Sequence, residues 1–300
     1  MTTQLITPIT DGQRKQYLRF VEDATQKGAK LALEQVPIDK EGFQKLIERG
    51  DEFNSAIAAL IVAKTRELSV SNQFANEEVE SSYGYPSGYQ KPKSITEQTN
   101  ILRQFFPGIG YADEKIAEQL FPRNTEGWFA IPRWEKIAPT YREACQKVFE
   151  IIKKTRNGKF QNYREGQLDP MHLRQSEKSA KMFQKLADEQ NDHDILVIAA
   201  QFGLRHRGRS VRRAREVMNA LEFGLGTFAV GIMLLTHPDR LQHYDDLWID
   251  CAGDEFSYAA GGRFGLAPCF SFYDGRLRFD AHGVANAYGF YGSASASVPQ

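Results

Sequence analysis

The chain has 300 residues, 41% hydrophobic and 12% aromatic, enough apolar material for one large domain or two ordinary ones, which excludes wholesale disorder. Lys and Arg total 38 and so do Asp and Glu, so a global pull toward nucleic acid or acidic membranes is excluded and any such pull is local. Cys145, Cys251 and Cys269 are too few and too scattered for a disulfide framework or a four-thiolate zinc site, and they suit a reducing compartment.

The opening MTTQLITPITDG lacks the basic start and apolar run of a secretory signal. The expected location is therefore the cytoplasm. The first 68 residues read as a helical, hairpin-like region. Thr10 and Gln13 have capping-box spacing, and Tyr17, Phe20, Val21 and Ala24 recur at helical intervals behind them. Phe43, Leu46 and Ile47 mark a second helix that Gly50 is placed to stop. Asp51 is placed to cap a third, with Phe53, Ile57, Leu60, Ile61 and Leu68 on one face. Such amphipathic helices serve packing, and self-association through residues 12–68 is the expected partner interaction.

Residues 69–93 are rich in Ser, Asn, Tyr, Gly and Pro and have no period, the pattern of a linker or long surface loop. From 94 to 300 the pattern is that of an α+β domain, rich in strands from 194. Ser94 with Glu97 and Thr140 with Glu143 open helices, residues 113–120 suggest a short one, and residues 176–190 a further one. Trp128–Pro132 reads as a strand, and Ile195–Ala200 as a strand buried on both faces. Ser210–Leu221 reads as a helix, and Phe223–Leu235, at 13 residues, is too short for a membrane span of about 20 and reads as a buried element. Leu247–Cys251 is a further strand, and Thr236 is placed to cap a turn at His237-Pro238-Asp239. Asp274-Gly275 between two alternating runs is a type I′ hairpin signal, and the closing SASASVPQ reads as a frayed tail. The expected fold class is α+β: a helical N-terminal part, then a C-terminal mixed sheet with packed helices.

Charge is concentrated in two places. Residues 201–220 carry Arg205, Arg207, Arg209, Arg212, Arg213 and Arg215 against Glu216, a net +5. Residues 236–256 carry five aspartates and Glu255 against Arg240, a net −5. Six arginines where a strand hands over to a helix can neutralise several phosphates, so the leading expectation is non-catalytic binding of the DNA or RNA backbone through those six residues. No catalytic residue and no metal ligand set is expected: the stretch from His237 through His243 to Asp250 fits no zinc spacing.

Two alternatives stand beside it. Gly203-Leu-Arg-His-Arg-Gly208-Arg209-Ser210 resembles the phosphate loop of P-loop NTPases, with arginine in the lysine position. That resemblance implies a nucleotide with Mg²⁺, held by Gly203, Gly208, Arg209 and Ser210. In the other alternative the chain is a structural or interaction protein whose arginines pair internally with the acidic stretch 239–255. The wording QFGLRHRGRSVRRARE, with EFGLGTFAVGIMLLTHPDRL after it, resembles a group of uncharacterised bacterial proteins over most of residues 125–300, and that resemblance implies no activity.

Overall fold

Three helices make up the N-terminal of two units: α1 (Asp11–Gln35), α2 (Lys40–Glu48) and α3 (Gly50–Leu68). The computed structural model describes residues 10–68, 73–120, 122 and 124–298. The expected capping box opens α1, with Gln13 N donating to Thr10 Oγ1 at 3.2 Å and Thr10 N to Gln13 Oε1 at 2.8 Å. Asp39 caps α2, its Oδ1 accepting from Gly42 N at 2.7 Å. Asp51 does not cap α3. It lies inside the first turn, where its charge opposes the positive helix end. Tyr17 and Thr65 hydroxyls meet at 2.5 Å and tie α1 to α3. No residue of α1 or α2 is buried.

The second unit, Val70–Gln300, holds α4 (Ile95–Phe105), β1 (Gly127–Pro132), α5 (Tyr141–Thr155), β2 (Phe160–Asn162), β3 (Leu173–Gln175), α6 (Glu177–Glu189), β4 (Ile195–Gln201), α7 (Val211–Val217), β5 (Glu222–Gly224), α8 (Thr227–Thr236), β6 (Trp248–Asp250), β7 (Asp254–Phe256), β8 (Leu266–Tyr273), β9 (Arg276–Gly283), β10 (Tyr291–Ser293) and β11 (Ser295–Ser297). The fold is α+β, with two sheets among the described residues. One is four-stranded and antiparallel, in the order β1-β4-β11-β5. The other is seven-stranded and mixed: β10-β6-β8-β7-β3, with β9 joining β8 to β2. Strand β4 is buried along its whole length, as its unbroken apolar run requires. The hairpin β8–β9 turns at Asp274 (φ 55°) and Gly275 (φ 70°), both left-handed as a type I′ turn demands.

Helix α8 is the centre of this unit. Every one of its residues is buried, which fits a helix that is apolar all round. It packs on β1 and on α5, and a Cβ at Gly231 would stand 2.6 Å from Val148 Cγ1 of α5, so glycine permits the approach. Phe149 of α5 reaches the second sheet, its ring 4.6 Å from Phe279 and 5.9 Å from Phe270.

Several expectations change. Ser295–Ser297, read as frayed tail, is an interior strand between β4 and β5. Its small residues are what such a crowded position accepts: Ala294 and Ala296 are buried, and Gln201 Nε2 donates to Ser293 O and Ser295 Oγ at 2.9 and 2.8 Å. Helix α7 stops at Val217 instead of Leu221. Thr236 closes α8 by bonding back to Ile232 and Met233 carbonyls, so it does not cap the turn that follows. Residues 73–93 form no helix, yet they run along the domain as a strap. Tyr85 and Tyr89 hydroxyls donate to the Glu126 carboxylate at 2.6 and 3.1 Å, and Ser87 Oγ donates to Asp246 at 2.6 Å. Among the described residues no helix is long and apolar enough to cross a membrane.

Candidate functional site

The arginine-rich segment lies where the sequence places it, between the end of β4 and the start of α7. Its glycines are needed for close passage of other chain segments. Gly203 has φ 133°, and a Cβ there would stand 2.6 Å from Gly292 O. Gly208 has φ 74°, and a Cβ there would overlap the Val79 carbonyl oxygen. The loop amides are engaged inside the chain. Gly203 N donates to Gln201 Oε1 at 2.5 Å, Leu204 N to Tyr85 OH at 3.1 Å, and Gly208 N to Tyr291 O at 3.0 Å. Ser210 N donates to Glu77 O at 3.0 Å, and Ser210 Oγ to the Glu77 carboxylate at 2.7 Å. Of the candidate phosphate-loop groups, both the Ser210 amide and its hydroxyl are thus engaged by Glu77 of the strap.

The guanidinium groups follow the same rule. Arg212 grips both oxygens of Glu77, with Nε at 2.8 and 2.7 Å, and lies over the Phe74 ring at 4.3 Å. Arg213 donates to Glu78 at 2.5 Å and to Glu216 at 2.8 Å, and Arg209 stands 3.3 Å from Glu78. Arg205 meets the buried Glu222 at 3.0 Å. Arg215 donates to the Ala252 and Asp254 carbonyls at 2.9 and 2.6 Å, and Arg207, which is exposed, to Tyr83 O at 2.9 Å. The six arginines therefore gather at one junction, but their heads turn to the protein's own oxygens.

The carboxylates of 239–255 are not those partners, which corrects the internal-pairing expectation in its choice of segment. Only Arg215 reaches that stretch, and it does so through backbone carbonyls. Asp246 accepts from Ser87, Gln242 and His243, Asp250 binds His282 at 2.7 Å, Asp254 binds Tyr141 and Thr227, and Glu255 binds Arg174. Each is answered by groups closer in the fold.

Electrostatics match the geometry. The Arg212 guanidinium holds Glu77 below the usual carboxylate range. Burial works to raise Glu78, but Arg213 and Arg209 outweigh it and the group is lowered. For Glu222 burial is again the largest influence and acts upward. His206, Arg205 and Ser295 overcome it and bring the pKa to about 2. Burial lowers His206, which fits a neutral ring: Nε2–H donates to Glu222 at 2.7 Å while Nδ1 accepts from Arg209 at 3.2 Å. Burial also lowers Arg215.

Sequence reading missed Glu77, Glu78 and Glu222. The first two stand in the NEEVE run of the expected linker, and that acidic run was the available signal. Among the described residues no group of three His, Cys, Asp or Glu side chains is arranged to hold a metal ion. Comparison with protein-family models, curated proteins and solved structures finds no match to this chain in any of the three.

Proposed function

We propose that this chain is a non-catalytic interaction protein that assembles with copies of itself through its N-terminal helices, and that its arginine unit is an internal clamp. The observation that carries the proposal is the absence of any buried residue in α1 and α2. Apolar side chains such as Phe20 (66% exposed) and Leu33 (62%) stand in water there, and Leu60 of α3 is 58% exposed. Exposed apolar surface on this scale marks an interaction face. A second copy is the fitting occupant because residues 10–68 carry ten Lys and Arg against ten Asp and Glu, so identical copies do not repel. Helix α1 alone, with 25 residues, is about 37 Å long, enough for a substantial helix-to-helix seam.

The clamp reading rests on the internal partners of the arginines. The nucleic-acid reading keeps one specific support, the exposed Arg207, whose partner is a single carbonyl. Light scattering coupled to size exclusion, with the full chain, tests the proposal. A dimer or larger species that becomes monomeric in Phe20→Glu/Leu33→Glu supports it, and a wild-type monomer across the accessible concentration range defeats it. Mobility shifts with DNA and RNA at low salt decide the second reading. Binding that weakens in Arg207→Ala would reinstate polyanion binding, and a nucleotide-induced thermal shift dependent on magnesium would reinstate the phosphate loop.

A further inference from the structure

Where β1 ends at Pro132, the following turn, α5, α6 and the start of α8 surround a cavity of about 220 Å³. Four aromatic side chains stand in its walls: Trp134, Tyr141, Phe183 and Phe228. The Trp134 and Tyr141 rings meet edge to face with centroids 6.0 Å apart, and those of Tyr141 and Phe228 lie 6.4 Å apart at 56°. An apolar cavity of roughly 150 Å³ holds a benzene molecule, so this one has room for a single ring and one small substituent.

Arg133 supplies the cation of the lining, beside Glu135, Gln175 and Gln184. Its Nη2 donates to the Ala187 and Gln190 carbonyls, both at 2.6 Å, at the C-terminal end of α6. These two bonds fix the guanidinium plane. Its Nε is enclosed by protein, while its Nη1 makes no hydrogen bond among the described residues. A guanidinium with a donor to spare favours an anion delivered by a ligand. Glu135 also lines the cavity, but it is exposed, so solvent screens its charge more than that of the half-buried Arg133. The charge preference therefore goes to the arginine.

We infer that this cavity binds a small aromatic carboxylate, its ring between Trp134, Tyr141, Phe183 and Phe228 and its carboxylate on Arg133. The site is separate from the arginine-rich junction and does not depend on self-association. Calorimetric titration of the full chain with benzoate, benzyl alcohol and benzylammonium tests it, alongside two variants. Benzoate should bind tightest. Arg133→Gln should weaken benzoate by about tenfold or more while leaving benzyl alcohol little changed, since a charge-assisted hydrogen bond is lost. Ala180 is exposed at the cavity mouth, so Ala180→Phe should block both ligands without disturbing the core. That variant keeps the test decisive if Arg133→Gln fails to fold. No binding of any of the three at about 10 mM, or benzylammonium binding tighter than benzoate, overturns the inference.

Discussion

Glu222 shows how a single residue can organise the arginine junction. It sits at the start of β5, buried, and receives Arg205, His206 and Ser295 at once. Removing it would leave a half-buried arginine, a buried imidazole and a buried hydroxyl without their acceptor. Glu222→Ala is therefore expected to cost about 3–5 kcal/mol, the range for breaking one side of a buried charge pair, as measured by urea unfolding. Glu222→Gln keeps one acceptor and should cost less. The pH dependence has a definite sign. The folded pKa, about 2, lies below the unfolded value near 4.5, so the folded state holds fewer protons across that interval. The stabilisation is present above the unfolded value and is lost as pH falls through the folded one. Wild-type stability should decline between those values more steeply than that of Glu222→Gln. Parallel acid limbs would show that the carboxylate is not held by its neighbours.

At the scale of elements, two glycines with the same backbone conformation separate local from tertiary demands. Gly208 (φ 74°) and Gly275 (φ 70°) are both left-handed, but the space around them differs. Gly275 tips an open hairpin, and a Cβ there meets nothing within 4 Å. Gly275→Ala should cost only the conformational penalty, about 1–2 kcal/mol. Gly208 lies under the strap, where Val79 N donates to its carbonyl at 2.8 Å. Gly208→Ala adds a clash with the Val79 carbonyl to the same penalty and should cost clearly more, with faster amide exchange at Val79. Equal costs for the two would mean that the strap does not press on the loop. The same contrast explains what the sequence made legible. Capping boxes, the Asp274-Gly275 hairpin and the buried run of β4 are encoded within a few residues, so spacing reveals them. Strand β11 is not, because Ser-Ala alternation records a crowded neighbourhood instead of a strand propensity. The clamp was also hidden, because Glu77 meets Arg212 across 135 positions, and no spacing rule links carboxylates to guanidiniums that far apart. The gathering of arginines was readable, whereas the direction of their heads depended on a strap whose composition suggested a free loop.

For the whole molecule, the proposed self-association rests on apolar burial and not on charge. Residues 10–68 are balanced at ten against ten, and the chain as a whole at 38 against 38, so the remainder is balanced as well. Among the described residues the core lies within the second unit, from Tyr89 to Val298, while α1 and α2 hold no buried residue. Isolated helices without a buried face are marginal in water, which is why the proposed self-association would stabilise α1 and α2. If a second copy covers them, association should persist or strengthen as salt rises from about 50 to about 500 mM, because little ionic attraction exists to be screened. Nucleic-acid binding would weaken steeply over the same interval. A peptide of residues 1–69 should then lose helical circular dichroism on dilution from about 100 to about 1 μM, since its helices and its association are one equilibrium. Residues 73–300 should melt at the temperature of the full-length domain and stay monomeric. Helicity of the peptide that does not change with concentration would show that the exposed apolar face is not a self-association surface.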